Sequence, residues 1–287
     1  MSQDNASRAR VAAIRRFKRA IWSHYRRYGR HDLPWRRTRD PYRILVSEVM
    51  LQQTQVARVL AFYPRFVARF PGLGPLARAR TADVLRAWQG MGYNRRALAL
   101  RRLAQAVLAE RGGRLPCSRA ALEALPGVGP ATAGAIRAFA WNEPEVFIET
   151  NIRRVFIHFF FHERSGVTDA ELARYIECTL DRKDPRAWYW ALMDYGAWLG
   201  GKARGADPNR LSAHYARQPR FEGSDRELRG KILKELLSAG AKRTGMVSVR
   251  SLAGMAKKPY KDVERISAGL AKEGFIKKKG NYISLVS

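Results

Sequence analysis

Cysteine is scarce: Cys117 and Cys178 are the only two in 287 residues. They could close one disulfide at most, and two thiolates cannot build an iron–sulfur cluster or an all-cysteine zinc site. Reduced core cysteines are the simpler expectation, ahead of a redox pair. Long apolar runs are also missing, since none approaches the roughly 18 residues that a membrane helix needs. No cleavable secretory leader is apparent. Membrane proteins and disulfide scaffolds are thereby excluded. Acidic residues are few: 25 Asp and Glu face 54 Lys and Arg, a formal charge of +29. So large an excess favours a polyanionic partner over a small neutral substrate. What the chain does have is apolar content, 46%, enough for a sizeable core, and a length that suggests about two domains.

Alternating strand patterns are rare before residue 220, and helical periodicity dominates. Ile14, Phe17, Ile21 and Tyr25 share one face of an Arg-rich first helix. It is expected to dock on the adjoining segment rather than serve as a transit peptide, because no cleavage-like break separates the two. After the extended stretch His31-Asp32-Leu33-Pro34-Trp35, helices are expected at 42–58, 59–70, 82–88, 95–111, 119–125, 131–141, 151–161, 169–180 and 186–199. Residues 200–221 lose periodicity and read as a connector. The tail then shows helices at 225–237 and 260–273, room for a short one near Leu252, and a hairpin turning at Gly280-Asn281. Three helices and a hairpin look like a winged helix, which sets one helix in the major groove and its basic wing on phosphates. Lys277, Lys278 and Lys279 supply that charge. A protein-binding winged helix is the alternative.

Three strings carry chemistry. Leu125-Pro126-Gly127-Val128-Gly129-Pro130-Ala131-Thr132 lies between two helical patterns. Its glycines permit close backbone approach, and the helix after it starts with unpaired amides. Gly127, Val128, Gly129, Ala131 and Thr132 therefore read as a phosphate nest blind to base sequence; an ordinary helix–helix turn is the plainer alternative. In Val46-Ser47-Glu48-Val49-Met50-Leu51-Gln52-Gln53-Thr54, Glu48 begins an apolar stretch where a carboxylate is poorly solvated. Burial would raise its pKa and make it a proton donor near neutral pH. A helix-start glutamate favoured by the dipole is the alternative. In Val146-Phe147-Ile148-Glu149-Thr150-Asn151, three apolar residues lead to Glu149 where a helix starts, with Thr150 or Asn151 as its cap.

These strings, with Gly90-Met91-Gly92-Tyr93 and Met193-Asp194-Tyr195-Gly196-Ala197, come in the order seen in helix–hairpin–helix (HhH-GPD) DNA glycosylases. Over about residues 10–200 the chain resembles that superfamily, and most of all its MutY branch of adenine glycosylases; endonuclease III and thymine-mismatch glycosylases are cousins. The resemblance implies an all-α, two-lobed HhH-GPD glycosylase fold over 8–215. Its six-helix lobe would span about 33–140, and 8–32 with 141–215 would form the second lobe. The winged-helix domain, with its β-hairpin wing, would occupy 222–287. A base inside a duplex is out of reach, so phosphate contacts and inserted side chains must offset its unstacking. By the same resemblance, Glu48 matches the glutamate that protonates adenine N7 and helps position water. Asn151 matches the asparagine that orients the catalytic groups. Gln53 and Tyr93 match residues that wedge into the duplex, and Trp35 and Arg36 match positions lining the base pocket; ordinary packing is the alternative for each.

Four departures qualify the match. The family's catalytic aspartate falls at Glu149, one methylene longer. Ala131 stands where bifunctional relatives carry the Schiff-base lysine, which implies a monofunctional enzyme that leaves an abasic site. The four cluster cysteines are missing from 200–221, so no iron–sulfur cluster is expected and no other cofactor, save at most a monovalent cation at the hairpin. The Nudix-like domain that reads 8-oxoguanine in MutY is replaced by the winged helix. The expected protein is thus an intracellular, monomeric glycosylase of base excision repair. It would act on double-stranded DNA holding a mismatched or damaged base, adenine first. Thymine or uracil opposite guanine is the second reading, and a non-catalytic DNA-binding protein the third.

Overall fold

Helical periodicity becomes helix almost throughout the computed structural model, which describes residues 3–202, 207–239 and 245–286. In chain order these are α1 (Gln3–Tyr28), α2 (Pro41–Leu51), α3 (Val56–Arg69), α4 (Leu73–Arg78), α5 (Thr81–Trp88), α6 (Arg95–Arg111), α7 (Arg119–Glu123) and α8 (Pro130–Ile136). Next come α9 (Thr150–Phe160), α10 (Asp169–Thr179), α11 (Pro185–Lys202), α12 (Asp225–Ala239), β1 (Val247–Ser248), α13 (Val249–Ala256), α14 (Tyr260–Lys272), β2 (Ile276–Lys279) and β3 (Tyr282–Leu285). No helix among the described residues is long and apolar enough to cross a membrane.

Two compact units share the chain. One comprises Met1–Glu48, Pro116–Ala124 and Val128–Arg217; the other comprises Val49–Leu115, Leu125–Gly127 and Gln218–Ser287. This grouping differs from the lobes expected from the sequence. The division falls inside α2 rather than near residue 33, and the C-terminal segment groups with α3–α6. In the first unit α11 packs against α9 and α1, and Phe17, Ile21, Ile152, Phe156, Trp188 and Leu192 belong to one buried cluster. The apolar face of α1 is docked, as its periodicity predicts. In the second unit α6 packs on α4 and α5, and Phe66 meets Trp88 edge to face with centroids 5.5 Å apart.

The C-terminal segment runs helix, helix, helix, hairpin in the expected order. No sequence signal marks β1, which pairs antiparallel with β3; β3 in turn pairs with β2, for a strand order β1-β3-β2. Ile276 and Ile283 are buried, whereas Lys277, Lys278 and Lys279 are exposed. Within the connector expected at 200–221, residues 203–206 lie outside the described residues, as do 240–244 in the polar break after α12.

Four local expectations are corrected. The helix expected at 42–58 is two helices, because Arg96 donates to the carbonyls of Val49 (3.0 Å), Met50 (2.8 Å) and Gln52. Those acceptors are taken from the next helical turn, and Gln53 swings into the left-handed region at φ 51°. A short helix, α4, forms at Leu73–Arg78, between the helices expected at 59–70 and 82–88. The 131–141 helix closes as a π turn over Arg137–Trp141. Both cysteines are free and exposed, so neither is a core residue.

Candidate active site

Glu48 lies on α2 between Ser47 and Val49, which are both buried. Its apolar neighbours leave the carboxyl poorly solvated, and its pKa is pushed up to about 8. Burial is the largest cause, the negative charge of Glu149 adds to it, and Arg36 offsets part of both. Glu48 therefore keeps its proton at neutral pH.

The chain reaches Glu149 in an extended conformation (φ −127°, ψ 175°), and Glu149 itself, not Thr150 or Asn151, caps α9. Its Oε1 accepts from the Ile152 amide at 2.8 Å and its Oε2 from Asn151 Nδ2 at 3.2 Å. The glutamate side chain is long enough to fold back onto the first-turn amides, where a negative charge is favoured. Burial pushes this carboxyl up as well. Its bonds from Asn151 and Ile152, and the charge of Arg154, pull the other way without overcoming burial.

Asn151 is held in turn. Its Oδ1 accepts from Arg154 Nη1 at 2.9 Å, and the same guanidinium donates to the Gly196 carbonyl (2.9 Å) and to both oxygens of Asp207 (2.8 and 3.0 Å). That pairing keeps Asp207 below the usual carboxylate range. Gly196 is required by close approach: a Cβ there would lie 2.7 Å from the Asn151 Cβ and closer still to the Asn151 carbonyl oxygen. Gly196→Ala is thus expected to prise α11 from α9 and to destabilise the fold by about 1–3 kcal/mol, measurable as a lower urea midpoint.

Trp35 is buried in a short 3₁₀ turn, Pro34–Arg36. Arg36 makes a two-pronged ion pair with Asp194 (2.7 and 2.8 Å) and stacks 5.4 Å over the Trp190 ring. Arg30 adds its backbone amide and Nε to the same carboxylate. Burial alone would raise the Asp194 pKa, but the two arginines outweigh it and hold the carboxyl below its usual range. Arg36 is therefore a cation fixed by Asp194, close enough to act on Glu48. Glu48, Glu149, Asn151 and Arg36 thus come together in the first unit.

Gln53 and Tyr93 belong to the second unit and are both left-handed, at φ 51° and 48°. Arg96 braces both turns: its Nη2 donates to Thr54 Oγ1 (3.0 Å) and the Gly92 carbonyl (3.2 Å), and the guanidinium lies 5.2 Å from the Tyr93 ring. Burial pushes the Arg96 pKa down to about 10, so it stays charged. In the hairpin, Gly127 has φ 81°, and a Cβ there would sit 2.8 Å from Ala99 Cβ. Val128 is buried and anchors the turn, Gly129 is exposed, and Ala131 and Thr132 are half-exposed. On β2, Lys278 pairs with Glu264 at 3.3 Å, so its charge is partly neutralised.

Asp194, Arg154, Asp207 and Arg96 take no role from sequence reasoning alone. Asp194 stands in a recognisable motif, but nothing in that motif links it to Arg36. Among the described residues no group of three or more His, Cys, Asp or Glu could hold a metal ion. With two exposed thiols, the donor set does not fit a four-thiolate iron–sulfur cluster. The segment after α11 is fastened instead by Asp207 on Arg154, by Asn209 Nδ2 on the Thr150 carbonyl (3.1 Å), and by a bridge between Val167 and Ser212.

Residues 46–178 match the HhH-GPD superfamily of base excision DNA repair proteins. An adenine DNA glycosylase of Mycobacterium tuberculosis is 35% identical over 229 residues, covering 72% of this chain and 74% of that protein. Another, from Buchnera aphidicola, is 38% identical over 184 residues, covering 64% of this chain and 52% of that protein. Among solved structures, a thermostable thymine-DNA glycosylase superposes with a TM-score of 0.61 at 25% identity, over 72% of this chain and 98% of that one. The order of motifs, the helical fold and these likenesses agree: the chain belongs to the HhH-GPD superfamily of base excision DNA repair proteins.

Proposed function

We propose that this chain is a monofunctional DNA glycosylase of base excision repair that hydrolyses the N-glycosidic bond of a flipped-out base, adenine first. The observation that carries the reading is a pair of buried carboxyls, Glu48 and Glu149, the pKa of the first pushed up to about 8 by burial and in part by the second. Two carboxyls with opposed tasks suit this reaction. As the bond breaks, its electron pair leaves with the base, Glu48 gives its proton to adenine N7, and the sugar becomes an oxocarbenium ion that the Glu149 carboxylate stabilises. Water then adds to the sugar carbon, and its proton passes to Glu48. Asn151 orients Glu149, while Trp35 and Arg36 form a wall of the base pocket.

Gln53 and Tyr93 act as wedges. A non-glycine residue in the left-handed region costs about 1–3 kcal/mol, and the bracing by Arg96 supports two probes held ready. Gly127 to Thr132 contact phosphates, and residues 222–287 form a winged helix in which Lys277, Lys279 and, less freely, Lys278 reach the backbone. Residues 8–215 make up the glycosylase domain, which works as a monomer without a cofactor.

Ala131 carries no amine, so no imine forms with the sugar. Incubation with duplexes containing adenine, uracil, thymine or oxidised bases in several pairings is expected to yield sites cut only after alkali treatment. Strand breaks without alkali would remove the monofunctional reading. No abasic sites on any duplex, with binding intact, would leave a DNA-binding protein. The second reading, thymine or uracil opposite guanine, is favoured by the likeness to the thymine-DNA glycosylase structure. Pyrimidine release without adenine release would decide for it, because a pyrimidine has no N7.

A further inference from the structure

The Tyr93 hydroxyl is not left to solvent. Arg226 of α12 donates to it from Nη1 at 3.0 Å, and Gln218 donates through its side-chain amide. Both donors come from the C-terminal part of the chain, which lies in the same compact unit as Tyr93. Arg226 is itself half-buried, and its Nη2 holds the Pro219 carbonyl at 2.6 Å, which fixes the backbone that carries Gln218. A second tie lies beside the first. Arg95, two residues beyond Tyr93, makes a two-pronged pair with Glu273 at 2.7 and 2.7 Å, and Arg229 of α12 shares that carboxylate at 2.6 and 3.0 Å. Arg102 of α6 closes the set by donating to the Glu273 carbonyl at 2.8 Å.

Tyr93 is thus gripped on two sides, by the Arg96 guanidinium on its ring and by Arg226 on its oxygen. A left-handed tyrosine at the tip of a glycine turn has many alternative rotamers, and a charge-assisted bond to its oxygen removes most of them. We infer that Arg226 is a positioning residue for Tyr93, so that the C-terminal segment sets how strongly the enzyme distinguishes a disrupted duplex from an intact one. This rests on Tyr93 being a wedge. Nothing in the hairpin or in the glutamate pair requires such a tie, which is why deletion of the bond should change discrimination rather than bond cleavage.

The test uses the full chain and two duplexes, one intact and one bearing a tetrahydrofuran abasic analogue with a fluorescent aminopurine beside it. The analogue does not depend on which base is excised. Arg226→Ala and Tyr93→Phe should each lower the preference for the analogue duplex by about tenfold, as expected for a charge-assisted hydrogen bond. The double variant should be no worse than Tyr93→Phe alone, because that change already removes the Arg226 bond together with the one from Gln218. Arg226→Lys should recover part of the loss. The rise in aminopurine fluorescence on binding should fall in parallel, a readout that mere loss of stability would not move when protein is saturating. If Tyr93→Ala lowers preference and fluorescence while Arg226→Ala and Tyr93→Phe alter neither, the inference is overturned and the wedge stands. If Tyr93→Ala changes nothing, both fall. Additive losses in the double variant would also overturn it, since Arg226 would then be acting elsewhere, for instance on phosphates.

Discussion

Glu48→Gln is expected to lower base release by about 10²–10⁴-fold, the usual worth of a positioned general acid, while making the protein more stable at neutral pH. The two effects share one cause. The amide keeps the shape of the carboxyl but has no proton to give to the leaving base. It also never ionises, and ionisation is what the folded state resists at this position. With a folded pKa of about 8 against an ordinary 4.5, the folded protein binds this proton more tightly than the unfolded chain does. Stability from this group is therefore complete below about pH 4.5 and is lost as pH rises towards about 8. The variant escapes that loss, so its melting temperature should draw ahead of wild type progressively over the same interval. Single-turnover base release by the wild type should fall as pH passes about 8, where the acid becomes deprotonated. Full activity in Glu48→Gln, or a rate that is flat through that range, would remove Glu48 as the acid.

Legible in the sequence is whatever depends on neighbours along the chain. Phe17, Ile21 and Tyr25 fall on one face because helix geometry repeats every 3.6 residues, and Glu48 stands out because apolar residues adjoin it. The break at Gln52–Gln55 is not legible, because the group that draws off its carbonyls is Arg96, far along the chain on α6 and one arginine among many. Arg36 reads only as a pocket cation for the same reason: its anchor, Asp194, is brought in only when α11 folds back. Glu149 reads as an acid without a structural task, yet it caps α9. Short side chains are the usual caps, so the sequence directs attention to Thr150 and Asn151 instead. Composition likewise suggests buried cysteines, but both lie at the surface, where nothing in their spacing could have placed them.

The double task of Glu149 makes its variants the sharper test of the glutamate pair. Glu149→Ala should lose the α9 cap, about 1 kcal/mol of stability, together with the charge that faces the oxocarbenium ion, worth about 10²–10³ in rate. Glu149→Gln separates the two. Its amide oxygen still accepts from the Ile152 amide and its side chain carries no charge for burial to resist, so thermal stability should be no lower than that of the wild type while the rate drops as far as in Glu149→Ala. A further consequence falls on the partner. Because the charge of Glu149 is one of the causes that raise Glu48, neutralising it should move the alkaline limit of any residual base release to lower pH. The movement should be partial, because burial is the larger cause and remains. A limit that stayed where it is in the wild type would mean that the two carboxyls do not sense each other, and the division of labour between acid and counter-charge would have to be abandoned. A limit that moved the whole way to the ordinary carboxylate range would instead assign the perturbation to Glu149 alone, with burial of Glu48 contributing nothing.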